Sequence, residues 1–260
     1  MKIKNFILIK FIFIFIFLIN SNEAKTEYCD TSVSSSLTSQ LECTDDDTLN
    51  ITINGSVIKT GADTIHAKSH SDVTIDNKGT ISASTNQAIN MQHAVNSTVT
   101  NSGTIEATLR NAILMDGTSA DNITINNSGT LKAGKKQVIL ATNSENTTII
   151  NSGSIETTNS SNPNTGGINY YNTSGAAING ATITNSGTIF AYGTGIRFGT
   201  LGIASKAVNN MTITNSGTIE GGTASIAVHN ANATGTNITV SYTHLRAHET
   251  REERGWRGGG

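Results

Sequence analysis

One short pattern returns along most of the chain and limits its fold more than any other feature. It reads VTIDNKGTI at 73–81, STVTNSGTI at 97–105, ITINNSGTL at 123–131, TTIINSGSI at 147–155, ATITNSGTI at 181–189 and MTITNSGTI at 211–219. A degenerate first copy, NITINGSVI, occupies 50–58, and a partial last copy begins at Asn237. Aligned on Gly55, Gly79, Gly103, Gly129, Gly153, Gly187 and Gly217, the copies stand 24, 24, 26, 24, 34 and 30 residues apart. Self-similarity at a short period marks a stacked repeat architecture.

Each copy has the same internal logic. Ile51, Ile75, Val99, Ile125, Ile149, Ile183 or Ile213 stands four residues before the glycine. Val57, Ile81, Ile105, Leu131, Ile155, Ile189 or Ile219 stands two after it, with Thr or Asn mostly between. This alternation predicts strand, turn, strand. The Asn-Ser-Gly triplet is expected to make the turn, with glycine supplying positive φ. A third apolar position follows at Ile65, Ile89, Ile113, Ile139, Ile196 and Ile226.

No unit can bury its apolar row alone, so the units must stack. The expected fold is all-β: a right-handed parallel β-helix, or solenoid, of about seven coils, roughly 35 Å long at the strand spacing. Asn77, Asn101, Asn127, Asn151, Asn185 and Asn215, two before the glycines, are placed to form an amide ladder. The units are too short for propeller blades. Thirty asparagines and 39 threonines exceed a quarter of the chain, which disfavours helix. The regular aliphatic rows argue against a disordered chain of the same composition. A formal charge of −2, with 14% charged residues, sets nucleic acid aside as a partner.

The two ends differ from the repeats. Lys2 and Lys4, an apolar run at 11–19 and a polar stretch ending at Ala24 have the layout of a signal peptide over 1–24. Export implies oxidising surroundings, where Cys29 and Cys43, the only cysteines, are candidates for a disulfide worth about 3 kcal/mol in the chain-entropy model. Residues 25–49 read as an amino-terminal cap segment and 50–239 as the β-helix repeats. Four of six arginines and the only tryptophan, Trp256, lie beyond residue 240. SYTHLRAHET at 241–250 is similar to one frame of a transposase-based sequencing-library adapter, and Val240 fits the same frame. Residues 240–260 are therefore read as a non-native tail.

A signal peptide followed by tandem TITNSGTI units resembles the passenger domains of bacterial autotransporters, the type V secretion proteins, over about residues 50–239. The resemblance implies an exported chain at the cell surface, in the outer membrane or outside the cell. Its work would be structural, serving adhesion or host contact, with a host-cell surface or glycan as partner. The family's carboxy-terminal outer-membrane β-barrel is expected but absent from this chain, which reads as an amino-terminal fragment. The alternative is a secreted β-helix enzyme acting on polysaccharide, a lyase or glycoside hydrolase.

Catalytic, metal and cofactor motifs are missing from the sequence, and no enzyme activity or cofactor is expected. Asp45, Asp46 and Asp47 read as a solvated cap loop, and His66, His70 and His93 as surface histidines. Glu106 and Glu156, two coils or roughly 10 Å apart, read as a lone ladder of surface glutamates rather than a glycosidase pair. Insertions at 158–181 and 191–210 break the period. The first carries the only proline, Pro163, with Tyr170 and Tyr171, and is the candidate binding loop. The second carries Tyr192, Arg197 and Phe198. Thr-x-Thr pairs (Thr98/Thr100, Thr182/Thr184, Thr212/Thr214) resemble ice-binding solenoids, but are expected not to recur in consecutive coils.

Overall fold

The computed structural model describes residues 27–117, 120–159, 165–171, 178–199, 208–228, 233–234, 237–240 and 245–247. The signal peptide at 1–24 and most of 240–260 lie outside the described residues. The described elements are all strands. Three sheets hold nine strands each. Sheet I takes the strands before the repeat glycines, such as Thr98–Asn101. Sheet II takes those after them, such as Thr104–Ala107, and sheet III the third strands, such as Ile113–Met115. The chain visits the sheets in turn and returns one rung along, pairing in parallel each time. This is a parallel β-helix.

The aliphatic rows face inward and stack in register. In sheet I, Ile75, Val99, Ile125, Ile149, Ile183 and Ile213 lie opposite one another. Sheet II stacks Val57, Ile81, Ile105, Leu131, Ile155, Ile189 and Ile219. Sheet III stacks Leu41, Ile65, Ile89, Ile113, Ile139, Ile168, Ile196 and Ile226. All are buried except Ile226, which packs on the core partly covered. Apolar surface removed from water, about 25 cal/mol per Å², is the main force holding the stack.

Rungs extend beyond the repeats. Within the cap segment Thr31–Val33, Ser36–Leu37 and Leu41–Glu42 join sheets I, II and III. Asn237–Val240 closes sheet I, and Leu245–Ala247, inside the stretch read as non-native, pairs with sheet II.

The repeat glycines act through contact, which corrects the expected positive φ. None of them lies in the left-handed region. A Cβ on Gly103, Gly129, Gly153, Gly187 or Gly217 would instead fall well under 3.0 Å from the carbonyl oxygen of the preceding repeat glycine. Only glycine lets the rungs close at this corner. Positive φ occurs elsewhere, at Asp46, Asp72, Asn96, Asn122, Asn146, Gly180 and Asn210. Each sits two residues before a sheet I strand, and these are the residue types that tolerate the left-handed region.

The expected ladder forms. Asn77, Asn101, Asn127, Asn151 and Asn185 each donate from Nδ2 to the Oδ1 of the next asparagine at 2.6–2.7 Å. The column is buried from Asn77 to Asn215. It stops at the first copy, where the glycine alignment fails. Val57 faces Ile81, but upstream Leu49 faces Ile75, so Ile51 faces Asn77. The first turn is two residues longer than the others, and Ile53 in it is exposed. Asn77 Oδ1, next to Ile51, is left without a hydrogen-bond partner.

The insertions keep the register. Ile168 lies opposite Ile139 and Ile196, so extra chain is looped out between Ser154–Thr157 and Gly166–Tyr171. Ile178–Asn179, Val208–Asn209 and Ala233–Thr234 pair as a fourth, three-stranded sheet. A further correction concerns the threonines: Thr182 and Thr184 lie directly opposite Thr212 and Thr214, so the Thr-x-Thr pairs do recur in consecutive coils.

Candidate functional site

The outer column of sheet III changes character where the insertions enter. It runs Glu42, His66, Asn90, Leu114, Leu140, Asn169, Arg197 and Ala227. In Gly166–Tyr171, Ile168 and Tyr170 point into the core by alternation, which turns Asn169 and Tyr171 to the other face. Gly166 makes this possible, since a Cβ there would collide with the Asn169 amide.

The Tyr171 hydroxyl is the hub. Asn169 Nδ2 lies 3.1 Å from it, Arg197 Nη1 3.3 Å and Gln137 Nε2 3.3 Å. Arg197 Nη2 donates to Thr194 Oγ1 at 2.8 Å. A phenol oxygen accepts two hydrogen bonds and donates one, so three donors exceed its capacity. Turning the Asn169 amide over satisfies the hydroxyl, and leaves Nδ2 rather than Oδ1 unpaired. As drawn, Asn169 Oδ1 and Arg197 Nε are both buried without a partner. Among the described residues no carboxylate pairs with Arg197. The cluster is rich in donors and carries one positive charge.

The candidate binding-loop residues separate. Tyr171 is half-buried within the cluster, while Pro163 lies outside the described residues. Tyr170 is a correction: it is fully buried and takes no part in a contact surface. Its ring stacks on Phe198 at 5.2 Å, and its hydroxyl bonds Thr147 Oγ1 at 2.6 Å. Burial pushes that hydroxyl far above the usual phenol range. Asn169 and Gln137 escaped sequence reading because the third strand of this coil was not located. Their signal was polarity at positions where neighbouring coils carry Leu114, Leu140 and Asn111.

Cys29 and Cys43 form a disulfide with Cα atoms 4.7 Å apart. They follow the paired strands Glu27–Tyr28 and Leu41–Glu42, so the bond staples one rung to the next. Asp45 Oδ1 accepts from the Ser71 amide at 2.8 Å and lies 3.2 Å from His70 Nδ1. These bonds, the Ser71 amide first, hold its carboxyl below the usual value. His66 Nδ1 lies 3.3 Å from Asp63 Oδ2, which also accepts from Asn90. Among the described residues no three His, Cys, Asp or Glu side chains gather as a metal site. The row containing Glu106 and Glu156 is not a run of glutamates: Lys132 stands between them and pairs with Glu156 at 2.8 Å.

No family model and no curated protein matches the chain. Among solved structures, it is similar to the surface protein and adhesin PfbA of Streptococcus pneumoniae, at 12% identity and a TM-score of 0.39, covering 79% of this chain and 68% of that one.

Proposed function

We propose that this chain is the rigid part of an exported, surface-displayed protein of autotransporter-passenger type, without enzymatic activity, that makes contact with a host cell or glycan. The observation that carries the reading is the cluster around Tyr171. In a stack whose other polar columns are satisfied by hydrogen bonds to the next rung, Asn169 and Arg197 keep buried polar atoms without partners. Leaving such groups unpaired costs stability, and a surface that bears this cost is suited to a ligand. The disulfide and the buried amide column add rigidity to the support. Export by a signal peptide at 1–24 and passage through an outer-membrane barrel encoded downstream belong to the same reading.

The test is binding of the purified full chain to cultured epithelial cells. Saturable binding is expected, and it is lost when Asn169, Tyr171 and Arg197 are all replaced by alanine while the β circular-dichroism spectrum is retained. Absence of saturable binding by the unaltered chain overturns the reading.

A further inference from the structure

If the cluster around Tyr171 is a contact surface, as proposed above, its chemistry selects the ligand. The geometry points to a saccharide that carries a carboxylate, with the carboxylate on Arg197 and sugar hydroxyls on the Asn169 and Gln137 amides.

The charge argument comes first. A guanidinium has five N–H donors. Two of those on Arg197 are engaged, by Tyr171 and Thr194. The Nε hydrogen is buried and unpaired. A guanidinium edge matches the two oxygens of a carboxylate, and a charge-assisted pair is about twice as strong as a neutral hydrogen bond. Binding an anion here supplies an acceptor to a desolvated donor and a countercharge to a cation that has none among the described residues.

The rest of the cluster argues for sugar. Asn169 lies directly opposite Arg197 on the adjacent strand. Whichever way its amide is turned, one end reaches Tyr171 and the other stays unpaired. An amide offers both a donor and an acceptor, which a hydroxyl-rich ligand uses and an aliphatic acid does not. Tyr171 adds a partly exposed ring whose apolar face suits the C–H face of a pyranose. One cation among neutral amides fits a ligand with a single acidic group among many hydroxyls. An acidic peptide or a polyanion would call for several clustered cations.

The experiment measures binding of the full chain to oligogalacturonate and sialyllactose, each beside its carboxyl methyl ester, together with the epithelial-cell assay. The expected result is binding of an acid at least tenfold tighter than its ester. Arg197→Gln removes that preference, Arg197→Lys restores it only in part, and Arg110→Gln, a remote exposed cation, leaves it unchanged. Circular dichroism and the thermal midpoint of each variant show that the fold is kept. Should Arg197→Gln fail to fold, Asn169→Asp serves in its place: a carboxylate facing Arg197 cancels the free charge and should abolish the preference. Equal binding of acid and ester, or an acid preference that survives Arg197→Gln, overturns the inference and leaves the contact reading standing. Cell binding without binding to either saccharide does the same. Failure of both cell and saccharide binding overturns both.

Discussion

Asn127 Nδ2 donates to Asn151 Oδ1 at 2.7 Å, and the same bond recurs on successive rungs to Asn215. A member in the middle of the column serves two neighbours, whereas Asn215 at its end serves one. Asn127→Ala leaves Asn101 Nδ2 and Asn151 Oδ1 buried without their partners. At about 1–3 kcal/mol per unsatisfied group, the expected loss is about 2–5 kcal/mol. Asn215→Ala should cost roughly half as much. Urea midpoints of the two variants check the order, and equal losses would show that the column is not a chain of shared bonds.

Val240 occupies the next register position after Asn215. It is also the first residue of the stretch that resembles adapter sequence. If that stretch is non-native, the genomic codon at 240 should encode asparagine and continue the column. Sequencing the locus directly reads the answer, and a genomic valine codon followed by the present tail removes the adapter reading.

Glycine and asparagine are needed at different corners for different reasons. Gly153→Ala drives a Cβ into the Gly129 carbonyl and should destabilise by about 3 kcal/mol or more, the upper range for overpacking. Asn122, at φ 56, should tolerate glycine with a change of a few tenths of a kcal/mol, while Asn122→Val should cost about 1–2 kcal/mol for a branched residue held left-handed. Thermal midpoints of the three variants distinguish contact from backbone conformation.

Tyr170 fills the core with its ring and anchors its hydroxyl on Thr147. Tyr170→Phe keeps the ring and strands the Thr147 hydroxyl, at an expected cost of about 1–2 kcal/mol. Tyr170→Ala opens a cavity and should cost about 3–5 kcal/mol. Ligand binding by Tyr170→Phe should match the unaltered chain, because this side chain faces inward. A binding defect in a folded Tyr170→Phe would contradict that placement.

Asp45 makes the amino-terminal rungs sensitive to acid. Its folded pKa lies below the ordinary 3.8, so its contribution is complete above that value and is lost as pH falls through the lower folded one. Burial pushes Asp121 in the opposite direction, so acid relieves a penalty there. Asp45→Asn should flatten the acid limb of hydrogen-exchange protection at the Ser71 amide, while protection at the Glu145 amide, which Asp121 accepts, is unaffected by that substitution. An unchanged acid limb at Ser71 would show that the bond contributes nothing.

Much of the solenoid was legible because its information is local and repeated. Ile125 and Ile149 share a position in the pattern, and stacking at the strand spacing is the arrangement that buries every copy. The same holds for Asn127 and Asn151, since identical residues at identical offsets end up one above the other. Reading failed where a turn changed length. Gly55 anchors the first copy to the second, yet two extra turn residues shift Ile51 from the aliphatic row to the end of the amide column. Ile168 was missed for the same reason.

The candidate site was half legible. Broken periodicity drew attention to Tyr171 and to the stretch containing Arg197, but period-2 alternation within Gly166–Tyr171 sends the adjacent tyrosine, Tyr170, into the core. The repeat alone determined that the chain must stack, which aliphatic rows face inward and that the asparagines align, because those follow from period and burial. Which residues meet across rungs in the irregular coils, Gln137, Asn169, Tyr171 and Arg197 among them, was decided only by the tertiary structure. Inserted chain length sets the register there, and loop length is not written in any local preference.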